Sequence, residues 1–177
     1  MEPNLKERIF GLDALRATAI LMVVSSHVLW IYPKSNAFIP TLFEFFGFWG
    51  VELFFVLSGF LIGSILYKTF INENFTLKSV FHFLKRRWFR TLPNYYLVLI
   101  LNILIAFFLG FSIENTGSYF LFLQNFASKS PAFFPESWSL SIEEYTYLLL
   151  PFSLFFVGLS KVKNKSKLFL LVIVALI

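Results

Sequence analysis

Apolar residues fall in long runs along this chain, divided by short polar stretches. The first run lies within residues 11–31 and reads LDALRATAILMVVSSHVLWI from Leu12 to Ile31. About 20 residues at 1.5 Å each are enough to cross a bilayer as one helix. Further runs cover 43–67, 94–111 and 141–159, and another begins at 168–177. Pro151 lies inside the fourth run and predicts a kink there. Between the runs, 32–41 carries Pro33 and Pro40 and reads as a loop. Residues 68–92 are polar and basic and also read as a loop. Residues 112–136 are broken by Asn115, Gly117, Pro131 and Pro135. Their apolar piece, Tyr119 to Phe126, is too short to span and reads as interfacial or re-entrant. The pattern predicts an all-α, polytopic transmembrane helical bundle, one domain over 1–177, with four spans and the start of a fifth.

Composition agrees. Of 177 residues 58% are hydrophobic and only 14% charged, where a soluble domain has about a quarter charged. Cysteine is absent, which excludes disulfides and thiolate metal sites. The net charge of +5 reports orientation, not nucleic-acid binding. Six of the fifteen basic residues (Lys68, Lys78, Lys85, Arg86, Arg87 and Arg90) sit in 68–90. Lys161, Lys163, Lys165 and Lys167 form a second group, and Lys6 with Arg8 a weaker third. Four crossings put all three groups on one side, the cytoplasm, with the N-terminus there. The outer loops then hold only Lys34 and Lys129. A cleaved signal peptide is a rival for the N-terminus, but Arg16 interrupts its would-be core and no A-x-A-like site follows.

Three ionisable groups sit in the first run. Arg16 and His27 are eleven residues apart, close to three full turns at about 100° per residue, so both project from one face some ~16 Å apart. Asp13 is placed to pair with Arg16. His27 is either an interhelical hydrogen-bonding group or a proton-handling one. Arg16 either snorkels, paired to Asp13, or binds an anion entering from the cytoplasm. Glu52 either partners a basic residue or does chemistry. Gly59 and Gly63 form a G-x-x-x-G, read first as close helix packing. The Lys85–Arg90 stretch is a topology signal that touches anionic lipid, or a phosphate clamp in which Arg86 and Arg90, four apart on a helix, reach one anion. Ser141 with Glu144 fits a capping box at the start of the fourth span. That leaves Glu143 as the carboxylate available for chemistry. No metal cluster is visible, and His82 is the only other histidine.

Four pieces of the chain resemble one family. Arg16-(ten residues)-His27, GVELFFVLSGFLIG at 50–63, RRWFRTLPNYY at 86–96 and WSLSIEEYTYLLLP at 138–151 are similar, in that order, to motifs of the membrane-bound acyltransferase-three family, the glycan O-acetyltransferases of the lipopolysaccharide- and peptidoglycan-modifying type. Tyr145 and Thr146 stand where that family usually has Gln and an aromatic. The resemblance implies transfer of an acyl group, usually acetyl, from cytoplasmic acyl-CoA to a hydroxyl of an extracytoplasmic glycan, in the cell's inner (plasma) membrane, without a metal. It implies that His27 is catalytic, with Arg16 beside it and Glu143 near the site. Arg87 and Arg90, with Arg86, would receive acyl-CoA, and Asp13, Glu52, Ser58, Trp138 and Ser139 would support. His27 would act as general base or carry the acyl group covalently. The family's membrane domain has roughly ten helices, about twice what this length holds at about 20 residues per span plus loops. The chain is therefore expected to be a fragment, or a truncated product without activity. The rival class is a proton-coupled transporter or flippase using Asp13, Arg16, Glu52 and His27.

Overall fold

A computed structural model of the chain describes residues 9–28, 38–72, 74–113, 115–126, 133–160 and 164–176. Every regular element among them is a helix: α1 (Phe10–Val28), α2 (Phe38–Asn72), α3 (Leu77–Leu109), α4 (Gly117–Phe120), α5 (Ser137–Gly158) and α6 (Lys165–Leu176). Four of these, α1, α2 from Pro40 onward, α3 and α5, are long and apolar enough to cross a membrane. The expected all-α, polytopic architecture is the one observed. Lys6, Arg8, residues 29–31, Pro33, Lys34, Lys129, Pro131, Lys161 and Lys163 lie outside the described residues. The chain forms two compact units, Met1–Ser64 and Ile65–Ile177, with α2 contributing to both.

The helices outrun the hydropathy pattern. At 35 and 33 residues, α2 and α3 extend to about 50 Å, against a hydrocarbon thickness of about 30 Å. The stretch expected as a loop at 68–92 is therefore mostly helix: α2 continues to Asn72 and α3 starts at Leu77. Lysine and arginine are good helix formers. Within the basic stretch Val80, Phe83 and Leu84 recur at helical spacing, and all three are buried. Basicity here does not mark the end of the helix. Pro40 likewise lies in the first turn of α2, where its missing N–H costs nothing. Thr76 precedes α3, its backbone N–H donating to Ser79 Oγ at 3.3 Å. The helix ends at Gly110, whose φ of 72° is a left-handed cap that glycine adopts without strain.

In the first unit, close approach of α1 and α2 occurs at Gly50, not at the G-x-x-x-G. A Cβ at Gly50 would lie 2.8 Å from Val23 Cγ2 and 2.9 Å from the backbone oxygen of Ala19, whereas a Cβ at Gly59 or Gly63 would meet nothing within 4 Å. The expected packing role of Gly59 and Gly63 thus moves to Gly50, because which glycine faces the neighbour is set by where the helices cross.

In the second unit, α3 and α5 pack through polar groups as well as rings. Glu144 is buried, at 3% exposure. Its Oε2 accepts from Trp88 Nε1 at 2.9 Å, and its Oε1 lies 3.4 Å from the Thr91 hydroxyl. The capping box expected of Ser141 and Glu144 does not form, because α5 begins four residues earlier, at Ser137. Ser141 instead meets the side-chain amide of buried Gln124, which also reaches the Ser137 hydroxyl at 3.1 Å. α5 runs through Pro151 without ending. Residues 117–126 make one helical turn and then reverse. The hydroxyls of Tyr95 and Tyr96 on α3 donate to the carbonyls of Tyr119 (2.9 Å) and Phe120 (3.0 Å), and that of Tyr145 on α5 to Phe122. Those bonds give the carbonyls of the reversal side-chain donors from the two long helices. They also hold Phe122 at a φ of 58°, a left-handed conformation that a bulky residue resists. Phe169 of α6 packs against Tyr67 and Phe70 of α2, at ring separations of 5.1 and 6.3 Å.

Two stability effects follow. Gly50→Ala drives a methyl into backbone and is expected to cost about 1–3 kcal/mol, while Gly59→Ala is neutral or mildly stabilising through helix propensity. Thermal unfolding of the purified intact protein in detergent, variant against variant, reads the difference. Glu144→Ala strands the Trp88 indole N–H, while Thr91 keeps the Arg87 carbonyl, and is expected to cost about 1–3 kcal/mol. Glu144→Gln keeps an acceptor for Trp88 and is expected to recover most of that loss in the same assay.

Candidate functional site

The candidate residues of the first unit lie mainly on α1. Asp13 is in its first turn, and Arg16 Nη1 stands 3.3 Å from Asp13 Oδ1, the pair expected from their spacing. Both side chains keep solvent-accessible surface, so the guanidinium retains donors beyond the ion pair. His27 is in the last turn of α1, exposed. Its Nδ1 lies 2.7 Å from the carbonyl oxygen of Val23. A carbonyl only accepts, so a proton is assigned to Nδ1. Ser26 Oγ donates to the same carbonyl at 2.8 Å. An imidazole so oriented can take a proton, or attack a carbonyl carbon, through Nε2. On α2, Glu52 is exposed and Ser58 is partly buried.

The second unit brings another set together across α3 and α5. Arg87 is partly buried, with its guanidinium 5.8 Å from the ring centre of Phe83 and 5.9 Å from that of Tyr147. Tyr147 is itself buried at 3% exposure. Its hydroxyl donates to Glu143 Oε2 at 3.1 Å. Arg87, Tyr147 and Glu143 therefore form one connected series. Arg86 and Arg90 are exposed on the same helix, four residues apart, as bidentate contact with one anion requires. At the start of α5, the Trp138 carbonyl accepts from Asn125 Nδ2 at 2.8 Å, and the Ser139 hydroxyl donates to the Glu136 carbonyl at 3.4 Å. Among the described residues, no group of three or more metal-ligating side chains gathers.

The adjacent carboxylates of α5 thus divide their work. Glu144 turns to Trp88 and Thr91, and Glu143 to Tyr147. Trp88, Thr91 and Tyr147 escaped the reading of the sequence as functional residues. The available signal was spacing: Tyr147 is four residues after Glu143, one turn along the same helix face.

An acyltransferase domain model matches residues 9–177. The peptidoglycan O-acetyltransferase OatA of Listeria monocytogenes is 30% identical over 182 residues, covering 92% of this chain and 26% of that protein. YrhL of Bacillus subtilis is 31% identical, covering 89% of this chain and 25% of that protein. The O-acetyltransferase OatA of Staphylococcus aureus is 29% identical, covering 94% and 28%. The chain therefore spans about a quarter of the length of the curated relatives it matches. No solved structure matches it. The stretch from α1 to α6 holds the Arg16–His27 helix, the basic helix α3 and the paired carboxylates of α5, and over it the chain belongs to the acyltransferase-three family.

Proposed function

We propose that the protein is an integral-membrane O-acyltransferase that moves an acyl group, acetyl in the simplest case, from cytoplasmic acyl-CoA to a hydroxyl of an extracytoplasmic glycan of the peptidoglycan kind. The observation that carries this reading is the acyltransferase match over residues 9–177, which includes both the Arg16–His27 helix and the arginines of α3. The names of the Listeria and Staphylococcus relatives support O-acetylation, and the first supports peptidoglycan as acceptor. The match also favours group transfer over the transporter alternative.

In this reading the basic ends of the helices face the cytoplasm, as the excess of lysine and arginine at 68–90 favours. The N-terminus lies on the same side, and the membrane is the plasma membrane. Arg86, Arg87 and Arg90 bind the phosphates of acyl-CoA, and Arg16 holds the donor near the thioester. His27 Nε2 then has two routes. As general base it takes the proton of the acceptor hydroxyl; the alkoxide attacks the thioester carbonyl, the C–S bond breaks, and the imidazolium returns the proton to the thiolate. As nucleophile it attacks the thioester itself, the C–S bond breaks, and the imidazole N–H proton passes to the departing sulfur, which releases CoA thiol. The acceptor oxygen then displaces the imidazole, which takes up the hydroxyl proton. Either route yields one ester and one free CoA, and neither consumes a cofactor. Glu143 supports the basic cluster from α5, and Asp13, Glu52, Ser58, Trp138 and Ser139 support the site around it.

His27→Ala in the intact protein is expected to abolish glycan acetylation and CoA release while leaving membrane insertion unchanged. Normal acetylation by that variant would sink the catalytic role. Arg90→Gln is expected to raise the KM for acetyl-CoA by about tenfold, the worth of one charge-assisted hydrogen bond. Steady-state release of CoA checks it, and an unchanged KM would remove Arg90 from the donor site.

A further inference from the structure

Tyr147 is the point where two sequence motifs meet. Its ring lies 5.9 Å from the guanidinium of Arg87. Its hydroxyl donates to Glu143 at 3.1 Å. The ring is fixed from a third direction by Phe83, edge-on at 6.4 Å. With 3% of its surface exposed, Tyr147 has little freedom to leave either contact. A guanidinium packed against the touching rings of Phe83 and Tyr147 loses part of its hydration and keeps its planar fork oriented. A carboxylate that accepts from a buried hydroxyl is likewise held in one rotamer.

We infer that Tyr147 is a positioning residue that sets the Arg87 guanidinium with its ring and the Glu143 carboxylate with its hydroxyl, so that the basic helix and the acidic helix present both groups in one geometry. It does not itself touch substrate. The neighbouring tie of Glu144 to Trp88 and Thr91 holds the same two helices in the register this requires. This inference rests on the reading of Arg87 as part of the acyl-CoA site.

The two halves of Tyr147 separate by substitution. Tyr147→Phe keeps the ring beside Arg87 and removes the bond to Glu143. Tyr147→Leu removes both. In the intact protein purified in detergent, CoA affinity is measured by equilibrium binding, and kcat and KM by CoA release from acetyl-CoA in the presence of acceptor. Tyr147→Phe is expected to bind CoA as the wild type does and to lose about tenfold in kcat, the effect of one hydrogen bond to a charged group. Tyr147→Leu is expected to lose the same in kcat and, in addition, to bind CoA about fivefold more weakly, the effect of one cation–π contact. A filler of space alone would lower thermal stability in both variants without this split. Wild-type kcat and CoA affinity in both variants, with His27→Ala inactive in the same assay, would overturn the positioning role and leave the acyltransferase reading standing. A wild-type protein that neither binds CoA nor releases it from acetyl-CoA would overturn both.

Discussion

A carboxylate buried between two apolar helices imposes a strict condition on this fold. Glu144 is almost wholly out of solvent, and an acidic group in such surroundings is costly unless donors meet it. The indole of Trp88 and the hydroxyl of Thr91 are those donors, and both come from α3. The requirement that they reach one side chain on α5 fixes how the two helices slide and rotate against each other. Hydrophobic packing alone is tolerant of small shifts in register. A directional hydrogen bond at 2.9 Å is not.

Once that register is set, the neighbouring pairs follow. The two helices run antiparallel, with Phe81 on Phe152 and Phe83 on Tyr147, so fixing Trp88 on Glu144 also fixes how Arg87 on α3 stands to Glu143 on α5. Tyr147, one turn beyond Glu143, occupies the space between them. On the same two helices, Tyr95 and Tyr96 of α3 and Tyr145 of α5 pin the reversal at 117–126 through its carbonyls. Polar contacts thus run along the α3–α5 seam, and they carry specificity that lipid-like packing cannot supply.

The helix α1 is organised differently. Two of its polar side chains meet partners within the helix itself, Arg16 at Asp13 and His27 Nδ1 at the Val23 carbonyl. Such local contacts orient the two side chains, and the guanidinium keeps donors for a further partner. Against α2 the same helix meets Gly50, where the absence of a side chain lets the two backbones approach.

Much of this was legible in the sequence. The four spans could be read from runs of apolar residues because a bilayer of fixed thickness demands about 20 of them. The Asp13–Arg16 pair followed from helical spacing, and the family from motifs at 16–27, 50–63, 86–96 and 138–151, a resemblance borne out by the match over residues 9–177. These are local properties, set by neighbours one or two turns away. The helical course of 77–93 was obscured because hydropathy separates membrane from water, not helix from loop, and a basic helical stretch looks like the end of a span. The partner of Glu144 could not be read at all. The spacing of Ser141 and Glu144 suits a cap, and only the meeting of α3 with α5 decides that the carboxylate belongs to Trp88, 56 residues away. The same holds for Gly50 against Gly59, and for Tyr147 beside Arg87. In each case residue type and spacing were in the chain, but which face met which neighbour was a result of helix packing, where contacts are long-range and directional.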